Sequence, residues 1–170
     1  MAVAGFPLML QGADVSPFAN FRGNFSKNAE VKIVSGQGGS PSGKIRQVFS
    51  VGKTGRSARL EITGTLTLGG AERPFSALYI FRHPTEEGVR SATVTNLAPG
   101  VDDGYQADEG TYTVSSRAIR AEIPFAVGTV TGKAALVIRL KGSRLRVTQT
   151  LVTDALTRPI VWRFRGLRSR

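Results

Sequence analysis

Hydrophobic and polar residues alternate along the stretch between Arg59 and Arg82. From Arg59 onward, every second residue is leucine, isoleucine or glycine, and the residues between them are charged residues or threonines. A period of two is typical of a strand with one buried and one exposed face. Residues 69–73 are rich in turn formers, and Pro74 cannot donate a ladder hydrogen bond, so we expect it to open the returning strand. The pattern predicts a β-hairpin.

The same alternation recurs along the rest of the chain, whereas no long stretch has a helical period. The returning strand 75–81 is apolar on both faces, and Gly142-Ser143 is typical of a tight hairpin turn between two long strands. Further strands are predicted over 21–34 with a bend at 26–28, and over 44–51, 89–97, 111–114, 119–127, 134–141, 144–154 and 160–165.

Glycine-rich turns between successive strands predict an all-β fold, an antiparallel meander of about eight to ten strands. A twisted sheet of this size rarely stays open. Because nearly all connections are short enough to be hairpins, we expect the meander to close as a barrel. A two-sheet β-sandwich is the alternative.

A chain of 170 residues is expected to form a single domain, which we predict over residues 20–166. Residues 167–170 form a basic tail. Residues 1–19 are either the remnant of an export signal or an arm that packs onto the domain, because the apolar start is broken by Pro7 and has no basic residue before it. Export to the periplasm is slightly favoured over a cytoplasmic location.

The chain has no cysteine and a single histidine, His83. This composition excludes disulfides, thiolate metal sites, cysteine nucleophiles and histidine clusters, and the lack of cysteine is also common in exported bacterial proteins. His83 precedes a proline in a turn, so we expect it to be exposed. No catalytic residue is predicted, and a non-enzymatic protein is expected; any chemistry would be sought first at His83, Asp102 and Asp103.

The loop 98–110 is acidic. Its four carboxylates are hard oxygen ligands that would suit Ca²⁺, although their spacing does not match an EF-hand loop. The alternative is an acidic loop that is solvated or that pairs with basic strands. The candidate ligands are Asp102, Asp103, Asp108 and Glu109. No other cofactor is predicted.

The net charge of +11 is unevenly distributed, since residues 130–170 contain ten basic residues and one acidic residue. Six of the basic residues fall on the outward face of three predicted strands, which favours a polyanion partner such as nucleic acid, an anionic glycan or a membrane surface. These residues are Arg139, Lys141, Arg144, Arg146, Arg163 and Arg165. The outward face lacks aromatic residues for base stacking. A structural protein of a virion or surface layer, acting as a homo-oligomer, is a further alternative.

The segment Gly23-Asn24-Phe25 and the arginines of the last strand resemble the calycin or lipocalin-like family of up-and-down barrels. That family opens with a G-x-W element whose aromatic ring packs beneath an arginine of the last strand. In this chain Phe25 stands in place of the tryptophan, and Arg163 or Arg165 would be the arginine.

The resemblance implies a non-enzymatic binder of a small apolar or amphipathic molecule in the barrel interior. A barrel of this size either holds one small ligand or is filled by its own side chains, and the pattern leaves both possibilities open. The candidates to line a cavity are Leu66, Tyr79, Phe81, Phe125, Ile138 and Trp162.

Overall fold

The computed structural model describes residues 16–35, 43–68, 70–83, 91–95, 105–107 and 110–170. In these ranges the chain forms twelve strands and one 3₁₀ turn, Ala19–Phe21. The strands are β1 (Gly23–Asn24), β2 (Lys27–Ser35), β3 (Ile45–Val51), β4 (Ser57–Leu68), β5 (Ala71–Arg82), β6 (Ser91–Thr95), β7 (Tyr105–Ala107), β8 (Gly110–Val114), β9 (Ala118–Val127), β10 (Val130–Lys141), β11 (Arg144–Thr153) and β12 (Ile160–Leu167).

All strand pairs in the described ranges are antiparallel, which confirms the predicted all-β, antiparallel fold. The hydrogen-bonded order is β1-β3-β4-β5-β6-β8-β9-β10-β11-β12-β2, with β7 paired to β9 beside this path. There are more strands than the eight to ten expected, because the first predicted strand is divided into β1 and β2 and because β7 lies within the stretch 98–110 that was predicted to be a loop. Among the described residues no pairing joins the two ends of the path into a ring, so the order is also consistent with the sandwich alternative.

The central hairpin consists of β4 and β5, but its turn is tighter than predicted. Ala71 already pairs with Leu68, so Pro74 lies inside β5, opposite Thr65, instead of at its first position. The Thr65 N–H donates to the Lys44 carbonyl, away from β5 (3.2 Å). The nitrogen of Pro74 therefore faces the side where β6 pairs only with Leu78–Arg82, and no described ladder requires its missing N–H.

The inward-facing side chains form one hydrophobic core. Phe75 of β5 stacks on Trp162 and Phe164 of β12, with ring centroids 6.2 and 5.5 Å apart. These two strands are distant in the hydrogen-bonded order. The inner faces of these two parts of the sheet therefore pack against each other across the core, and the opposite face points outward.

The residues before the first strand cover one end of this core. Phe18 is fully buried, and its ring lies 6.3 Å from Phe81 and 5.9 Å from Tyr112. The segment is held by the Ser16 hydroxyl, which donates to the Gly55 carbonyl (2.7 Å), and by the Asn20 side-chain amide, which donates to a carbonyl of the β8–β9 turn (3.2 Å). Residues 16–21 thus close the end of the core that lies beneath the β3–β4 and β8–β9 turns.

The C-terminal residues hold the first strand at the same end. The Ser169 N–H donates to the Asn24 carbonyl (2.7 Å), and the Arg168 guanidinium lies over the Phe25 ring, 5.1 Å from its centroid. The expectation that Arg163 or Arg165 would cover Phe25 is therefore wrong. Both alternate with the inward-facing aromatic residues of β12, so their side chains point to the outward face.

Candidate anion-binding face

Strict alternation along β10 and β11 separates the core from a basic outer surface. Ile138 and Val147 are fully buried, whereas the intervening Arg139 and Arg146 are exposed. The two hairpin strands are joined by Gly142-Ser143, as predicted, and Gly142 has a φ of +58°. The tight turn fixes the register, so arginines from both strands lie on the same face.

The register then aligns the basic residues in rows that run across the strands. In the first row Arg139 pairs with Arg146, and Arg146 pairs with Arg165. In the second row Arg163 pairs with Lys32 of β2. The two rows are two residues apart along each strand, a separation of about 7 Å.

Like charges directly opposite each other in a sheet are destabilising, so these rows carry an electrostatic cost. Glu30 relieves part of it through an ion pair with Arg165 at the β2 end of the first row. In the part of the chain that the structure describes, no ion pair is found for Arg139, Arg146 or Arg163. The face therefore holds several cations whose positive potential is uncompensated.

Two adjoining depressions lie between the rows. One encloses about 300 Å³ and is lined by Val137, Arg139, Arg146, Thr148 and Arg163. The other encloses about 210 Å³ and is lined by Lys32, Val34, Arg146, Arg163 and Arg165. Because the two depressions share Arg146 and Arg163, they lie side by side, and together their linings extend from β10 to β2.

Of the six basic residues predicted for this face, the structure brings four together around the depressions. Lys141 and Arg144 pair with each other one row further on, beside the hairpin turn. Lys32 also lines the site, although sequence reasoning did not include it. Its alternation with Val31 indicated an outward position, but nothing in the sequence indicated that β2 pairs with β12.

Two of the residues predicted to line an interior cavity belong to separate aromatic groups. Phe81 belongs to the covered end, with Phe18, whereas Trp162 stacks with Phe75 further along the core. Tyr79, Phe125 and Ile138 are also buried. Leu66 lies in β4 opposite Arg73, and its side chain is outside the described residues.

Some interior polar atoms are buried without a partner. The Trp162 indole Nε1 has no hydrogen-bond partner among the described residues, and the side chain of Trp162 is only 6% exposed. The side-chain amide of the fully buried Gln47 also lacks a partner there. Buried polar groups are normally hydrogen-bonded, so these groups mark places where a polar atom of a water or ligand would be stabilised.

The described residues hold one of the other residues predicted to carry chemistry, His83. Asp102, Asp103, Asp108 and Glu109, the calcium candidates, lie outside the described residues. Within the described ranges, no group of three or more histidine or acidic residues is placed to hold a metal ion. His83 is half-buried against the edge of Phe18 (6.4 Å between centroids), so the expectation that it is exposed is wrong.

No protein-family model, curated protein or solved structure matches this chain. Across the described ranges, no helix is long and apolar enough to cross a membrane. The candidate site therefore rests on the chain's own residues and their geometry.

Proposed function

We propose that this protein is a non-enzymatic binder of anionic polymers, which it contacts through the basic face of β10, β11, β12 and β2. The supporting observation is the run of directly paired arginines, Arg139 with Arg146 and Arg146 with Arg165. Such a run costs stability in the free protein. A bound polyanion offsets that repulsion, since it supplies the negative charges that the face lacks.

The chemistry of the face favours recognition of charge over recognition of bases. Arginine forms bidentate hydrogen bonds with phosphate, sulfate or carboxylate groups. Single-stranded nucleic acid binders usually add aromatic platforms on which bases stack. The aromatic residues of β12, Trp162 and Phe164, are buried on the opposite face. Binding is therefore expected to fall steeply with ionic strength and to depend little on sequence.

Elution from a heparin column in a salt gradient tests this function. The variant Arg144→Ala/Arg146→Ala removes two charges from the face. The control variant Lys53→Ala/Arg56→Ala removes two exposed charges from the β3–β4 turn. We expect the first variant to elute at a much lower salt concentration than the control. Equal shifts would mean that retention reflects net charge only, and the proposal would be wrong.

A second candidate function, binding of a small apolar or amphipathic molecule inside the fold, is favoured by the unpartnered Trp162 Nε1. A ligand with an apolar body and a hydrogen-bond acceptor would stack beside Phe75 and accept from the indole. Support for this candidate also comes from the Arg168–Phe25 contact, which resembles the aromatic–arginine contact of calycin-like barrels.

Together with this second function we propose that the sheet closes as a barrel. The two end strands of the path, β1 and β2, are consecutive in the chain, and β2 approaches β3. NMR contacts between backbone protons of β2 and β3 are expected for a barrel, whereas their absence would favour the sandwich.

Native mass spectrometry of the purified protein tests the second function. A co-purifying small molecule that is lost on denaturation would support an interior ligand. Because Trp162 is the only tryptophan, its fluorescence should change when that molecule is added back. A ligand-free mass, together with unchanged tryptophan fluorescence on addition of apolar probes, would contradict the second function.

A further inference from the structure

We infer that the two adjoining depressions form one track for a sulfated polysaccharide, whose chain crosses β10, β11, β12 and β2 at right angles to the strands. This inference rests on the proposed function and goes beyond it, because it assigns the polymer class and its path. The track is defined by Arg139, Arg146, Arg163, Arg165 and Lys32.

The position of the cations sets the direction of the chain. The first depression spans β10 to β12 and the second spans β11 to β2. Neighbouring strands lie about 5 Å apart, so the two depressions are displaced by about one strand spacing. Arg146 and Arg163 line both depressions, and each is placed to contact two successive anionic groups of one chain.

The width of the track favours a thin, flexible polymer. The rows on either side are about 7 Å apart, which accommodates one chain. A rigid duplex is wider than this spacing and meets only the rims of the two depressions, whereas a single flexible chain can enter them and contact each cation.

The uncharged residues of the track distinguish a polysaccharide from a purely inorganic polyanion. Val137 and Thr148 line the first depression, and Val34, which is 47% exposed, lines the second. Sugar rings present apolar C–H surfaces and hydroxyl groups that match valine and threonine side chains. A polyphosphate chain has only anionic oxygens and gains nothing from the two valines.

Sulfate esters, like carboxylates and phosphates, match the arginines of the track. Guanidinium binds planar or tetrahedral oxyanions through two parallel N–H···O bonds, which lysine cannot reproduce. Arg165 is already paired with Glu30, so Arg139, Arg146 and Arg163 are the arginines that remain for the polymer. The site is therefore expected to depend on arginine geometry as well as on charge.

The test measures binding of fluorescently labelled heparin oligosaccharides by anisotropy, at one fixed ionic strength. The track variant is Arg146→Gln/Arg163→Gln. The matched control, Lys141→Gln/Arg144→Gln, removes two charges from the neighbouring row of the same face. We expect the track variant to lose at least about tenfold in affinity and the control to lose about threefold or less, because only the track residues contact two anionic groups each. Circular dichroism spectra of both variants serve to check that they fold.

The charge-conserving variant Arg146→Lys/Arg163→Lys is expected to recover less than half of the lost binding free energy. Oligothymidine and polyphosphate of matched charge serve as competitors, and both should displace heparin less effectively than unlabelled heparin does.

The possible failures are distinguishable. If the wild-type protein does not bind heparin at all, the proposed function itself is wrong. If the track and control variants lose affinity equally, the face binds polyanions diffusely and the track is overturned. If oligothymidine or polyphosphate competes better than heparin, the assignment to a polysaccharide is overturned.

Discussion

Substitution of Gly166 by alanine should test how the two ends of the chain are joined. Gly166 is buried in β12, and a Cβ atom added there would lie 1.9 Å from the Phe25 carbonyl oxygen and 3.1 Å from the Gln47 amide nitrogen. A contact of 1.9 Å with a backbone atom cannot be relieved by a side-chain rotation. The backbone at Phe25 must therefore move away from β12.

The expected cost follows from the contacts that this movement disturbs. Forcing a methyl group into a packed site costs about 1–3 kcal/mol. The Phe25 N–H donates to the Gln47 carbonyl (2.7 Å), and weakening such a bond costs about 1 kcal/mol. The sum, about 2–4 kcal/mol, corresponds to a decrease in Tm of roughly 5–15 °C for a domain of this size.

Urea unfolding followed by circular dichroism measures this change. The control is Gly128→Asn in the β9–β10 turn, where φ is +58° and an added Cβ meets nothing within 4 Å. Asparagine tolerates this conformation, so the control should lose less than about 1 kcal/mol. If Gly166→Ala unfolds at the wild-type urea concentration, β12 and Phe25 are not in contact and the packing described for this end is wrong.

Three further substitutions test the core and its covered end. Ile138→Ala should destabilise the fold by about 2–5 kcal/mol in urea unfolding, whereas Val152→Ala, at a half-exposed position, should cost less than about 1 kcal/mol; equal effects would contradict the assignment of strand faces. Phe18→Ala should cost about 3–5 kcal/mol in the same assay if the segment before β1 packs into the core, and a neutral result would contradict that packing. Arg168→Gln should cost about 0.5–1 kcal/mol by removing the cation–π contact with Phe25 together with the hydrogen bond from the guanidinium to the Asn20 carbonyl, and thermal unfolding unchanged from the wild type would show that these contacts contribute nothing.

Much of the fold was predictable because each strand carries its own alternation. The pattern correctly placed Ile138 inside and Arg139 outside, and the Gly142-Ser143 turn set the register between β10 and β11. The arginine that covers Phe25 was not predictable, because Arg168 lies beyond the last alternating pair and its position depends on the packing of the chain end.

The candidate site was predictable only where its strands are neighbours in sequence. The pairing of Arg139 with Arg146 follows from one hairpin. The pairing of Lys32 with Arg163 requires β2 to join β12, and local periodicity contains no information about such long-range contacts. The covering of His83 by Phe18 is a long-range contact of the same kind.

The most direct test of the basic face is NMR mapping of a bound heparin oligosaccharide on the isotopically labelled protein. We predict that the largest shifts in arginine side-chain Nε–Hε signals will come from Arg139, Arg146 and Arg163, with backbone shifts concentrated in β10, β11, β12 and β2. Shifts spread evenly over arginines on all sides of the molecule, Arg56 and Arg59 included, would contradict the assignment of this face as the binding surface.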